Sequence, residues 1–377
     1  MNLSLESSLG ARRAAGGALL GFFADGADGL LLDLTKTDGR NFQTSLGVGA
    51  VSAIADPIGL ALDTHAWAGK TLAQVMAAQP DIVINGGFAA DTNWVKSAGA
   101  TISGGLFNCN VAAFALTSQA YALETGALYR VSYSIVAYTS GSVRVNFGGG
   151  AQSNGTVQSS VGDYVDYIAP VSGNNSIWIQ AAGSGFVGSV DNVSIKKVPS
   201  NYGRQSTTGA RPTLQTTGAR FDASDDNLLT NYLALAGANC MVARVTVPAS
   251  LAGTQIIAGA SGTNVNRFQI GINATGRLCA GVGSDATTTI VGTNDLRGQT
   301  LVVGLSLDGS TVRLFEGAAQ IYEAAQGSTP TTSVPLRIGA LNNDGVAGSS
   351  FGGDIARLVV GRKALTLSDY LRIRAEL

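Results

Sequence analysis

The stretch "LYRVSYSIVAY" (Leu128–Tyr138) decides the fold. Its bulky apolar residues fall at every second position, Tyr129, Val131, Tyr133 and Ile135, the period of a strand with one buried face. "GSVRVNFGGG" (Gly141–Gly150) repeats the pattern with Val143, Val145 and Phe147. "NSIWIQAAG" (Asn175–Gly183) and "SVDNVSIKKV" (Ser189–Val198) do the same over fewer residues. Glycine, serine and asparagine fill the gaps, as turns require. About eight short strands at this spacing predict a β-sandwich or jelly roll over residues 81–198.

Outward from this segment, residues 221–377 read as a second β domain. "SLDGSTVRLFEGAAQIYEA" (Ser306–Ala324) has the form of successive hairpins turning at Asp308-Gly309 and Glu316-Gly317. "TLSDYLRIRAEL" (Thr366–Leu377) closes the chain as a helix, with Thr366 or Ser368 as its cap. Residues 199–220 form a polar linker containing "TTGAR" twice, at Thr207–Arg211 and Thr216–Arg220, too short a repeat for a solenoid. Residues 1–80 are a mixed arm with apolar runs broken at Asp38-Gly39 and Asp56-Pro57. Within Ala68–Pro80, Leu72, Val75 and Met76 fall on one helical face, and Pro80 ends the helix. Arg12 and Arg13 before the apolar run Ala14–Ala24 give the start the cast of a signal peptide. That run is too short and glycine-broken to span a bilayer, and we read it as a short helix or a packing arm. The expected fold is all-β: two antiparallel β-sandwich (jelly-roll) domains, a short mixed N-terminal arm and a C-terminal helix.

Composition narrows the function. With 45% apolar residues and a net charge of −1 the chain has the makings of folded cores rather than of a disordered polymer. The same near-neutrality excludes nucleic acid, whose phosphates demand a dense field of Lys and Arg. Cys109, Cys240 and Cys279 lie far apart, within or beside strand candidates and without a C-x-x-C spacing, so we expect buried, inert thiols.

Two family resemblances follow from particular motifs. "INGGFAADTNWVKSAGATISGG" (Ile84–Gly105), closed by "GSVDNVSIKKV" (Gly188–Val198), resembles the carbohydrate-binding modules of polysaccharide-degrading enzymes. That likeness implies a galactose-binding-type jelly roll, a packing role for Trp94, and a structural calcium for which Asp191 matches the acidic position. "ARPTLQTTGARFDASDDNLLT" (Ala210–Thr230), with "FGGDIARLVVGRKALTLSDYLRI" (Phe351–Ile373), is similar to the concanavalin A-like, laminin G-like lectin sandwich. The layout as a whole resembles tail-tip or fibre proteins of tailed bacteriophages: an arm "GLLLDL" to "DPIGLALD", the lead-in "RQSTTGARPTLQ", then a lectin sandwich. Here the carbohydrate-module-like domain stands inserted between arm and lead-in.

Catalytic residue types are scarce. His65 is the single histidine and lies in the arm, so we expect it to be structural or exposed rather than the base of a Ser-His-Asp or Cys-His site. The five glutamates, Glu6, Glu124, Glu316, Glu323 and Glu376, show no E-x-D-x-E pattern. Asp163 and Asp166, three apart on one strand, point to opposite faces. We therefore expect no enzyme activity, with a polysaccharide depolymerase as an alternative.

Sugar recognition needs flat rings, because a pyranose stacks its apolar face on Trp or Tyr. Tyr138 beside a turn, Tyr167, and Trp178 are the candidate carbohydrate-binding residues. Trp178 points opposite to Ile177 and Ile179, either into a core or as a binding platform. The loops "ASDDNLLT" (Ala223–Thr230) and "LNNDGVAG" (Leu341–Gly348) could hold calcium or sugar, or be ordinary turns. Together these readings lead us to expect a receptor-binding fibre, spike or tail-tip component on a virion. It would bind host cell-surface polysaccharide, join other virion proteins through its arm, and assemble as a homotrimer. A decoration protein binding only virion partners is the alternative.

Overall fold

A computed structural model describes residues 19, 22–23, 28–67, 70–111, 115–234, 237–262, 265–283, 290–325, 330 and 334–377. The expected helix or arm over residues 14–24 lies largely outside the described residues. The chain divides into two compact units. One comprises Met1–Thr44, Gly49–Gly69 and Ser200–Leu377, and the other Ser45–Val48 and Lys70–Pro199. Both are antiparallel β-structures, as the alternating patterns require.

The second unit is organised by one long ribbon. The strands Leu128–Gly148 and Ser176–Val198 pair antiparallel, with Ser176 opposite Gly148 and Val198 opposite Leu128. Midway the register slips between Ala182 and Phe186, facing Gly141, whose φ is +80°. A Cβ at Gly141 would stand 2.1 Å from the Gly185 carbonyl oxygen, so only glycine lets the two backbones cross this closely. The ribbon bends here and contributes to both layers of the sandwich. Ala115–Ala120 extends one half beside Ser176–Ala181, with Ser153–Asn154 at its far side against Asn146 and Phe147. Leu106–Val111 and Gly162–Ile168 extend the other half.

Inward residues of both halves form one core. Tyr129, Val131, Tyr133, Ile135, Val145, Phe147, Ile177, Ile179, Phe186 and Ile195 meet Phe88 and Trp94 there, all buried. Each fully buried side chain of this size contributes about 1.5–3 kcal/mol of transfer free energy. Trp94 is a packing residue as expected, and its indole donates to the Asn85 carbonyl at 3.2 Å. The short helix Leu72–Ala77 buries Val75 and Met76 and starts at a capping box between Thr71 and Gln74. The expectation of about eight short strands differs from this arrangement, because two pairs of alternating segments are continuous through their glycines.

The first unit has two sheets packed on a second core that includes Leu30, Leu32, Ile58, Phe221, Met241, Phe268, Leu305, Leu314 and Leu358. Its hairpins turn at Asp308-Gly309 and Glu316-Gly317, as read from the sequence. The helix Leu367–Glu376 begins at Thr366, whose hydroxyl accepts from Asp369 N while the Asp369 carboxylate accepts from Thr366 N. Its Tyr370 ring stacks on Phe315 at 4.5 Å.

Two segments depart from the sequence reading. Gly29–Asp33, placed in a separate arm, pairs with Asp354–Gly361 inside the unit's eight-stranded sheet. Leu60–Leu62 joins Tyr202–Arg204, from the expected linker, and that strand continues to Leu228–Thr230. The arm and the linker thus complete the C-terminal sandwich: the apolar triplets "LLL" and "LAL" supply core, which a linker would not need. Chain order and spatial order differ because residues 70–199 intervene.

Candidate functional site

The outer face of the jelly roll at Ser176–Ala182 carries a set of groups suited to a ligand. Strand alternation places it. With Ile177 and Ile179 in the core, Trp178 and Gln180 must point out. With Val143, Val145 and Phe147 inward, Arg144 and Asn146 point to the same outer side. Register then aligns them in rows: Ser118, Trp178, Asn146 and Asn154 stand opposite one another in turn, and Gln180 stands opposite Arg144.

Trp178 is half-buried, and its ring lies flat on the sheet. A Cβ added at Gly148 would stand 2.0–2.4 Å from three atoms of the six-membered ring, Cε2, Cζ2 and Cδ2, which puts one indole face directly on the glycine. Its Nε1–H makes no hydrogen bond among the described residues. Beside it, Arg144 Nε donates to Gln180 Oε1 at 2.6 Å. Asn146 Nδ2 donates to Asn154 Oδ1 at 3.1 Å and to Gln180 Oε1 at 3.4 Å. Asn146 and Gln180 are almost fully buried, and Asn146 Oδ1 and Gln180 Nε2 are left without partners. Burial pulls the Arg144 guanidinium below its ordinary pKa. A flat ring bordered by the half-buried Arg144 guanidinium and the exposed Asn154 amide, with Asn146 and Gln180 buried beneath as their supports, matches what a pyranose offers: an apolar face rimmed by hydroxyls.

The other expected sugar-binding residues do not join this face. Tyr138 lies beyond the ribbon's bend opposite Gly188, 36% exposed, its hydroxyl donating to the Gly141 carbonyl at 3.1 Å. Tyr167 is a correction: it is 2% exposed, its ring covered by Gly47, and its backbone N–H donates to Leu46 O. A buried ring offers no stacking surface. Arg144, Asn146, Gln180 and Asn154 escaped the sequence reading, although Arg144 and Asn146 stand visibly out of phase with Val143, Val145 and Phe147.

Asp191 is not part of a grouping of three acidic, histidine or cysteine side chains among the described residues. Its Oδ1 accepts from its neighbour Asn192 N at 2.7 Å, the behaviour of a turn residue. Among the described residues, the grouping of three acidic side chains close enough to share a cation is Asp222, Asp225 and Asp226, in the loop "ASDDNLLT". Asp222 Oδ1 accepts the backbone N–H groups of Ser224, Asp225 and Asp226. Asp226 is 6% exposed, and burial together with Asp222 and Asp225 pushes its pKa up to about 7.

The remaining reactive types are held in structural roles. His65 Nδ1 contacts the fully buried Asp63 carboxylate at 2.6 Å, and Asp63 also accepts from Leu31 N. Cys109, Cys240 and Cys279 are free and buried, with thiols pushed up to about 11, 12 and 12. Asp163 is exposed while Asp166 is turned inward onto Thr156, so the two carboxylates face apart.

No family model matches the chain, and no curated protein matches it. Solved structures show partial similarity. The carbohydrate-binding module CBM40 of the Ruminococcus gnavus IT-sialidase is 19% identical, with a TM-score of 0.31 over 37% of this chain and 84% of its own. The NanB sialidase of Streptococcus pneumoniae is 17% identical, with a TM-score of 0.27 over 35% of this chain and 23% of its own. A mutant Trypanosoma rangeli sialidase displaying trans-sialidase activity is 14% identical, with a TM-score of 0.34 over 43% of this chain and 28% of its own. The chain therefore spans about a quarter of the length of these sialidases.

The expectation of no enzyme activity is corrected by these neighbours, which include sialidases.

Proposed function

We propose that the chain is a glycan-binding protein and that the outer face around Trp178 holds the sugar. The observation that carries this reading is the indole laid flat on Gly148, with Arg144, Asn146, Gln180 and Asn154 aligned beside it. One stacked ring buries little apolar area, so a single site is weak and repetition matters. In an oligomer, simultaneous contacts raise avidity by about 10² to 10⁴ when the geometry allows them.

On that basis the finer reading is a receptor-binding fibre, spike or tail-tip component displayed on a virion. It would contact host cell-surface polysaccharide as a homotrimer and join virion partners through its N-terminal residues. Its support is the sequence layout, a lectin sandwich whose lead-in is separated from its first strands by an inserted glycan module.

The test is incubation of the purified protein with capsule and lipopolysaccharide from a susceptible host, measuring retention and polymer length together. Retention supports the binding reading, and shortening of the polymer adds hydrolysis to it. Loss of neither length nor mobility for any polymer sinks it.

A further inference from the structure

We propose that the sugar bound on the Trp178 face is acidic, and that its carboxylate is received end-on by the two Nη nitrogens of Arg144. This rests on the glycan-binding reading and specifies its ligand.

Arg144 is half-buried, its Nε is spent on Gln180 Oε1, and among the described residues it has no ion-pair partner and its Nη groups form no hydrogen bond. Half-burying a cation without an opposite charge is costly, and an anion arriving from outside would relieve that cost. The Arg144 side chain is held for that purpose. Gln180 is pinned between Arg144 and Asn146, so the guanidinium plane is fixed before the ligand comes, and little rotamer entropy is lost on binding. With Nε occupied, the end-on pair of Nη groups is the remaining fork, and a planar carboxylate matches it with two parallel hydrogen bonds. Gln180, opposite Arg144 in the register, is two residues along its strand from Trp178, so the anion and the stacked ring fall in adjacent rows of one face. A pyranose bearing a carboxylate on its ring spans that spacing.

The experiment compares affinities for uronate- and nonulosonate-containing oligosaccharides, for the same oligosaccharides after carboxyl reduction, and for a sulfated polymer. Wild type, Arg144→Gln, Arg144→Lys and Trp178→Ala are measured, each checked for folding by circular dichroism. The expected result is binding of an acidic oligosaccharide about tenfold to a hundredfold tighter than its reduced form. Arg144→Gln abolishes that preference while leaving the weak neutral binding, Arg144→Lys retains part of it, and Trp178→Ala weakens both forms. Equal affinity for acidic and reduced sugars, or a preference untouched by Arg144→Gln, overturns the proposal while glycan binding stands. A preference for the sulfated polymer over every carboxylate overturns it as well. If no oligosaccharide binds and Trp178→Ala changes nothing, the glycan-binding reading itself fails and takes this one with it.

Discussion

The indole of Trp178 rests face-on against Gly148, the residue two places after its cross-strand partner Asn146. One face of the ring is thereby fixed by backbone, and Gly148 acts as a seat that any side chain would fill.

Gly148→Ala therefore lifts or tilts Trp178 without touching the core. We expect an unchanged circular dichroism spectrum and about a tenfold weaker retention on the cognate polysaccharide. Retention equal to wild type would mean the ring's seating does not matter.

Trp178 is also the half-exposed one of the three tryptophans; Trp67 and Trp94 are 4% and 6% exposed. Acrylamide should quench one accessible class of fluorescence, absent in Trp178→Ala and shielded when polysaccharide is added. Quenching unaffected by a polymer that is retained would place the ligand elsewhere.

How much of this was legible in the sequence depends on what each residue answers to. The inward sets Tyr129–Ile135 and Val143–Phe147 follow from alternation, which is local, and the outward direction of Trp178 follows from its neighbours Ile177 and Ile179. The helix at Thr366 was equally readable, because a cap is a few residues long. What was hidden is non-local. Gly141 and Gly183 look like turn residues, yet they let two long strands bend together. Tyr167 alternates like a surface residue, but Leu46 and Gly47, more than a hundred positions away, cover it. The separation of Gly29–Asp33 from its partner Asp354–Gly361 likewise hid the arm's place in the sandwich.

Asp354 in that partner strand is 1% exposed and accepts from Arg220 through Nε and Nη2 and from the Thr217 hydroxyl. Arg220→Ala leaves the buried carboxylate with Thr217 alone; because the Arg220 side chain is half-exposed and water can partly replace it, we expect a loss of about 1–2 kcal/mol in chemical denaturation. A loss under about 0.5 kcal/mol, the scale of an ordinary surface change, would contradict the ion pair's role.

Asp226 predicts a pH dependence. Its folded pKa, about 7, stands above the ordinary 3.8, so the folded state binds the proton more tightly than the unfolded chain. The stabilisation is complete below pH 3.8 and is lost progressively as pH rises through 7. Wild type should lose more thermal stability than Asp226→Asn between pH 5 and pH 8. Parallel melting curves for the two proteins over that range would refute it.

The most direct test of glycan binding at the Trp178 face is affinity electrophoresis of wild type and Trp178→Ala through gels containing a polysaccharide that retards the wild type. The account predicts that the variant, folded by circular dichroism, migrates as it does in a gel without polymer. Retardation of Trp178→Ala equal to that of wild type would contradict it.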